Sequence, residues 1–287
     1  METRKLQLVG ARSYAVSLPK DWVVNQGLDK QSTVYIQQTP NHALLIKAQD
    51  TKESLHQLTI PLSEIENIQE FLVLCYVKNI DYITLTAKKI TYEQAKDIKH
   101  IVEYLEGYDI TSEDETHITI SFLFKEVTIH LEDIQRRTTY IITLMLEALN
   151  KQDRPTLYSL EKEVDRLYHL SKRILFACTR STKTREDNNV TDVENLFFHN
   201  MIFKKLENIA DTLLLVEHNQ QHTLTHAITL LRKLFIKKHR PTTLLKELRE
   251  GETARNEHAR HVQDLVQDVL ENATSLHYSK RYFSHNI

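Results

Sequence analysis

Hydrophobic and polar positions follow three different periods along the chain, and each period predicts a different kind of element. Up to about residue 48 they alternate. Lys5–Val9 and Tyr14–Leu18 predict two short strands, with Gly10, Ala11, Arg12 and Ser13 as the turn between them. Pro19 ends the pairing because it has no N–H to donate. Asp21–Gln26 then predicts one helical turn, closed by Gly27 in the left-handed position that follows a helix. Thr33–Gln37 and Ala43–Ile46 predict a second hairpin across Pro40, Asn41 and His42. Roughly 45 residues in two hairpins cannot bury enough surface to stand alone, so this segment predicts a dimer on physical grounds.

Residues 49–125 mix the two periods. Tyr82–Leu85 predicts a strand, and Thr91 caps a helix with Glu93 and Gln94 in its first turn. Ala95, Ile98, Ile101, Val102 and Leu105 form that helix's stripe, Gly107 ends it, and Tyr108–Ile110 and Ile118–Phe122 follow as strands. From residue 126 the period is helical. One helix carries Ile129, Ile134, Ile141, Ile142, Met145, Leu146 and Leu149. A second starts near Arg154-Pro155 and carries Leu157, Leu160, Val164, Leu167, Ser171, Ile174 and Cys178. Thr191, with Glu194 as capping-box partner, opens a third bearing Leu196, Met201, Leu206, Ile209, Ala210, Leu213 and Leu214. Arg240-Pro241 separates a fourth helix from a fifth. Between the second and third, Ser181–Asn189 has no apolar residue and predicts a flexible loop. Long helices joined by short connections predict an antiparallel bundle. The chain reads as a multidomain α+β protein: a β domain over 1–48, a small α/β connector over 49–125 and a helical bundle over 126–287.

Composition narrows the function classes. The chain has 287 residues, 41% hydrophobic and 26% charged, with no apolar run long enough to span a membrane; Phe71–Val77 is the best and is far too short. No secretory signal precedes Lys20, and Cys75 and Cys178 lie far apart and predict small buried side chains of a reducing compartment. A cytoplasmic protein without membrane insertion is expected. Four glycines leave no room for a Walker loop or a dinucleotide fingerprint. Ser17 and Ser171 have no oriented base near them in sequence, so no active site, and no enzyme, is predicted. The net charge of −2 hides a gradient: six basic and four acidic side chains over 1–50, seven and thirteen over 51–125, and twenty-four and twenty-two beyond. The acidic middle is the part least suited to touch DNA.

The run from Arg4 through Val9, Gly10, Arg12 and Ser17-Leu18-Pro19-Lys20 to Trp22, followed by one helical turn and Gly27-Leu28, resembles the AbrB/SpoVT family of swapped-hairpin DNA-binding domains. In particular it looks like the version that opens archaeal PhoU-like phosphate uptake regulators. That resemblance covers about 45 residues and implies an intertwined homodimer whose basic positions face DNA, here Arg4, Lys5, Arg12 and Lys20. Four cations per chain become eight per dimer, a number that gives steep salt dependence on phosphate binding. Taken without the resemblance, such cations also serve to keep an edge strand soluble.

A second signal lies in the bundle. Glu161 and Asp165, and Glu207 and Asp211, are carboxylate pairs four residues apart, so each pair shares one helix face beside the apolar stripe. Two such helices side by side offer oxygen ligands to a metal ion. Carboxylates at this spacing are also common on solvated faces. The stretch 126–220 resembles PhoU domains, which implies a metal face (iron, zinc, magnesium or another divalent cation) at Glu161, Asp165, Glu207 and Asp211. Thr212 departs from the histidine frequent there, and Asp264-x-x-x-Asp268 is either a remnant of a second repeat or a solvated face. His218, His222 and His226 flank an expected turn at Asn219–Gln221 and are read as surface, as are His258 and His261. The resemblance implies a DNA-binding transcriptional regulator of phosphate uptake with a PhoU-like sensing module. The alternative is a PhoU-type adaptor that docks on a transporter or signalling protein and uses its N-terminal domain for dimerisation alone.

Overall fold

The computed structural model describes residues 3–10, 12–38, 43–48, 57–124, 129–190, 192–216, 221–251, 253–254 and 256–283. Ala11, the turn at Pro40–His42, Thr191 and residues 218–220 lie outside them, as does the side chain of His222. The chain divides into two compact units, Met1–Ser54 and Leu55–Ile287.

The first unit is two separate two-stranded antiparallel sheets and one short helix. β1 (Gln7–Val9) pairs with β2 (Ser13–Ala15), setting Leu8 opposite Tyr14. β3 (Tyr35–Gln38) pairs with β4 (Leu44–Lys47), setting Ile36 opposite Ile46. Between them α1 (Lys20–Asn25) starts directly after Pro19. Its end is a Schellman motif: Gly27, at φ +66°, donates to the Val24 carbonyl and Leu28 donates to the Val23 carbonyl. None of the described residues in this unit is buried.

The second unit has two hydrophobic cores. A four-stranded sheet runs in the order β5 (Gln57–Pro61), β6 (Tyr82–Thr86), β8 (His117–Phe122), β7 (Tyr108–Glu113). β5 and β6 are parallel and joined through α2 (Ile68–Val77), and the remaining pairs are antiparallel. Period-two alternation turns Ile83 and Leu85 to the core opposite Ile120 and Ile118, where Leu72, Tyr76 and Ile98 meet them. α3 (Tyr92–Glu103) opens with the expected Thr91 cap, and Gln94 completes a capping box with it. Gly107 sits at φ +90°, and a Cβ there would lie 2.7 Å from the rings of Phe122 and Phe124, so both backbone angle and space demand glycine.

The bundle follows: α4 (Leu131–Asn150), α5 (Arg154–Arg180), α6 (Thr182–Asp187), α7 (Asn195–Leu215), α8 (Gln221–Phe235), α9 (Pro241–Arg249) and α10 (Glu257–Tyr278). Most of the stripes read from sequence are buried, including Ile134, Met145, Val164, Ile174, Leu206 and Leu213. Cys75 and Cys178 are free and buried, and burial pushes both thiols up to about 11.

Four expectations need correction. The polar stretch after Ser181 is not a loop: Ser181 caps α6 by accepting from Thr184 N–H, and Arg185 donates to the Cys178 carbonyl, so polar contacts replace apolar ones. The third long helix begins at Asn195, after Glu194, with no side-chain cap. The fifth helix is broken around Gly251 into α9 and α10. Ile129 precedes α4 rather than belonging to its stripe. Sequence also left β5 and α2 unassigned, because the apolar run at Phe71–Val77 has no clear period.

The α/β core is fastened to the bundle through α5. Arg173, 3% exposed, donates to the Tyr76 carbonyl at 2.7 Å and to the Asp81 carboxylate at 2.8 Å. Its guanidinium also lies 3.7 Å from the centroid of the Phe122 ring. Asn79, at φ +60°, donates back to the Arg173 carbonyl.

Candidate functional site

α5 and α7 run side by side, and each turns a pair of carboxylates toward the other. On α5, Asp153 caps the first turn and Pro155 fits the N-terminal positions, where no N–H is needed. Glu161 and Asp165 then fall one turn apart beside the buried Val164 and Leu167. On α7, Glu207 and Asp211 stand beside the buried Leu206 and Ala210. Oxygens of Glu161, Asp165 and Asp211 all lie within 4.8 Å of one another. Three of the four carboxylates expected to share a face therefore converge.

Glu207 is engaged differently. Its side chain is 12% exposed and accepts from Lys204 Nζ at 2.6 Å. That ammonium also lies 5.3 Å from the centroid of the Tyr168 ring. Lys204 was not singled out from sequence, although its three-residue spacing from Glu207 marks a helix-face ion pair. Arg173 was missed as well, and no local signal identifies it, since its partners lie about ninety residues upstream.

The electrostatics of the cluster follow from burial and like charge. Burial, then the charges of Glu161 and Asp211, raise the Asp165 carboxyl to about 7. Glu161 is raised by burial and then by Asp211. Burial also raises Glu207 and Asp211, with Lys204 opposing in both. These carboxyls are raised because negative charge is crowded in a partly desolvated place. A divalent cation answers the same demand. The donor set is all carboxylate oxygen, which suits a hard ion of the magnesium, calcium, manganese or iron type better than zinc, whose structural sites favour nitrogen and sulfur. A cluster of acidic groups able to hold a metal ion is thus present. Asp268, from the third acidic pair, instead binds Lys205 at 2.5 Å, and Asp264 is exposed.

The four basic positions expected to face DNA are exposed: Arg4 and Lys5 before β1, Arg12 in the β1–β2 turn, and Lys20 as the first residue of α1. Trp22 is half-buried on the same helix. Among the histidines, His258 and His226 are half-buried and His261 is exposed. Two others are internal: burial pushes His169 down to about 4 and His199 down to about 3, which keeps both uncharged at neutral pH. No helix among the described residues is long and apolar enough to cross a membrane. Comparison with protein-family models, with curated proteins and with solved structures found no match for this chain.

Proposed function

We propose that this chain is a dimeric DNA-binding transcriptional regulator whose first unit contacts DNA and whose helical bundle is a PhoU-like sensing module. The observation that carries the reading is the state of the first unit. It has regular hairpins, a capped helix end and no buried residue among those described. Leu8 (64% exposed) and Ile36 (63%) lie open to solvent on its strands, as does Leu44. An isolated two-stranded hairpin is marginal in water, so strands of this kind are completed by more strands or a packing layer. A second copy supplies that layer through the same surface, with two-fold symmetry. In the swapped-hairpin arrangement the cations of both copies gather on one side. That side is suited to the phosphate backbone, where lysine and arginine release condensed counterions.

In this reading Glu161, Asp165 and Asp211 hold a hard divalent cation, and Glu207 joins them when Lys204 lets go. The bundle's occupancy then alters the geometry with which the two first units meet DNA. Phosphate uptake as the regulated process rests on the sequence resemblance to PhoU-like regulators.

The test is a fluorescence-anisotropy titration of the full-length protein against fragmented genomic DNA at two salt concentrations, beside Arg12→Ala/Lys20→Ala. The reading predicts sub-micromolar binding that weakens steeply with salt. Each lost phosphate contact should reduce the log–log salt slope by about 0.9 per site. No binding by the native protein, or equal binding by the variant, would contradict it and favour an adaptor that docks on a transporter or signalling protein.

A further inference from the structure

A cleft of about 570 Å³ opens where the α/β core meets the bundle, between the end of α3 on one side and α4 and α5 on the other. Its volume is in the range of small-molecule sites, and boundaries between substructures are where such sites concentrate. It is separate from the carboxylate cluster, which faces α7.

The walls are charged, and their charges are unevenly matched. Arg137 pairs with Glu163 at 2.5 Å, and Arg166 pairs with Glu106. These four side chains are one-third to two-thirds exposed, and such pairs contribute only about 0–1 kcal/mol, so an incoming ligand rearranges them at little cost. The other two charges meet no full opposite charge among the described ion pairs, and the Lys162 ammonium is hydrogen-bonded to the Tyr104 side chain. The Lys162 ammonium lies 5.7 Å from the centroid of the Tyr104 ring and pairs with no carboxylate among the described ion pairs. Among the described ion pairs Glu103, across the cleft on α3, meets His100 at 3.8 Å, which carries charge only when protonated.

This distribution selects the ligand class. A simple anion that reached Lys162 would also meet Glu103, Glu106 and Glu163. A simple cation that reached Glu103 would meet Lys162, Arg137 and Arg166. A small zwitterion satisfies both unmatched groups, and its carboxylate reaches Arg166 by rearranging that exposed pair with Glu106.

We propose that the α3–α5 cleft binds a free α-amino acid, its carboxylate on Lys162 and Arg166 and its ammonium group on Glu103. The ligand bridges the α/β core and the bundle. It also changes the charge beside Glu161 and Asp165, which directly precede Lys162 and Arg166 in the sequence. The site stands or falls independently of DNA binding.

The experiment is a calorimetric and thermal-shift titration of the full-length protein at pH 7. The probes are glycine, leucine, glutamate and lysine, with acetate and methylammonium as half-ligands. At least one amino acid is expected to bind saturably in the micromolar to millimolar range and to raise the unfolding midpoint by several degrees at about a hundredfold excess over Kd. Neither half-ligand should do so. Lys162→Met and Glu103→Gln, both at exposed positions, should keep the native circular-dichroism spectrum and each weaken binding at least tenfold. The proposal is overturned if no amino acid binds, if acetate or methylammonium binds as tightly, or if both variants bind like the native protein.

Discussion

Leu8 in β1 and Leu206 in α7 each sit on the apolar phase of a regular element, yet Leu8 is 64% exposed and Leu206 is fully buried. The same contrast separates Ile36 in β3 from Ile120 in β8. In the second unit the main apolar faces among the described residues are covered: α2 and α3 lie on the sheet, and the bundle helices lie on one another. In the first unit the faces form with the right register and turn chemistry, but two-stranded sheets and a six-residue helix provide no opposing layer. Periodicity decides which face is apolar. Whether that face is covered depends on what else the chain, or a second copy of it, can bring.

The largest effect separating the two regions should come from truncating a core leucine. Leu206→Ala removes fully packed atoms and is expected to destabilise the second unit by about 2–5 kcal/mol in urea denaturation. Leu8→Ala should leave that transition where it is and act on self-association instead. Equal losses in the two variants would erase the contrast.

Next comes the link inside the second unit. Arg173→Met keeps much of the aliphatic stem but breaks the bonds to Asp81 and the Tyr76 carbonyl and removes the cation from the aromatic cage. About 3 kcal/mol should be lost, the low end for a broken buried pair because Asp81 is partly solvated. The α/β core should then gain hydrogen exchange ahead of the bundle. A single cooperative transition of unchanged midpoint would show that Arg173 does not fasten the two.

A smaller effect, with a defined sign, concerns pH. The Asp165 carboxyl is raised to about 7 in the folded protein, whereas an unfolded aspartate titrates near about 4. The folded state therefore binds the extra proton, and the group's contribution to stability falls as pH rises between those values. Asp165→Asn should match the native protein near pH 4 and exceed it increasingly up to pH 7 in chelator-treated buffer. His169 and His199, held below their unfolded value, impose the opposite trend below about pH 6.5. They are common to both proteins and cancel in the difference. A divalent cation should close the gap at pH 7 by stabilising the native cluster alone. A difference that shrank with rising pH in metal-free buffer would contradict the assigned crowding.

Local chemistry was the legible part of the fold. The Thr91 cap, the Gly27 helix end, the proline-led starts at Pro155 and Pro241 and the long stripes of α4, α5 and α7 all stand in the sequence and in the structure. What was hidden depended on long-range contact. α2 is covered more fully than one stripe predicts, so Phe71–Val77 lost its period. α6 is held by hydrogen bonds to Ser181 and from Arg185 rather than by apolar contact, which composition does not reveal. The same holds for the candidate site. Spacing of four put Glu161 with Asp165 and Glu207 with Asp211, but the meeting of Asp211 with the first pair and the capture of Glu207 by Lys204 depend on how α5 and α7 pack.

The central claim is that the first unit is completed by a second copy, and the most direct measurement is the solution mass by sedimentation equilibrium. Native full-length protein and Leu8→Glu/Ile36→Glu should be compared at micromolar concentration. The account predicts twice the 33.7 kDa chain mass for the native protein. It predicts a folded single chain for the variant, with its helical circular-dichroism signal unchanged. A monomeric native protein, or a dimer that survives both charges, would contradict it.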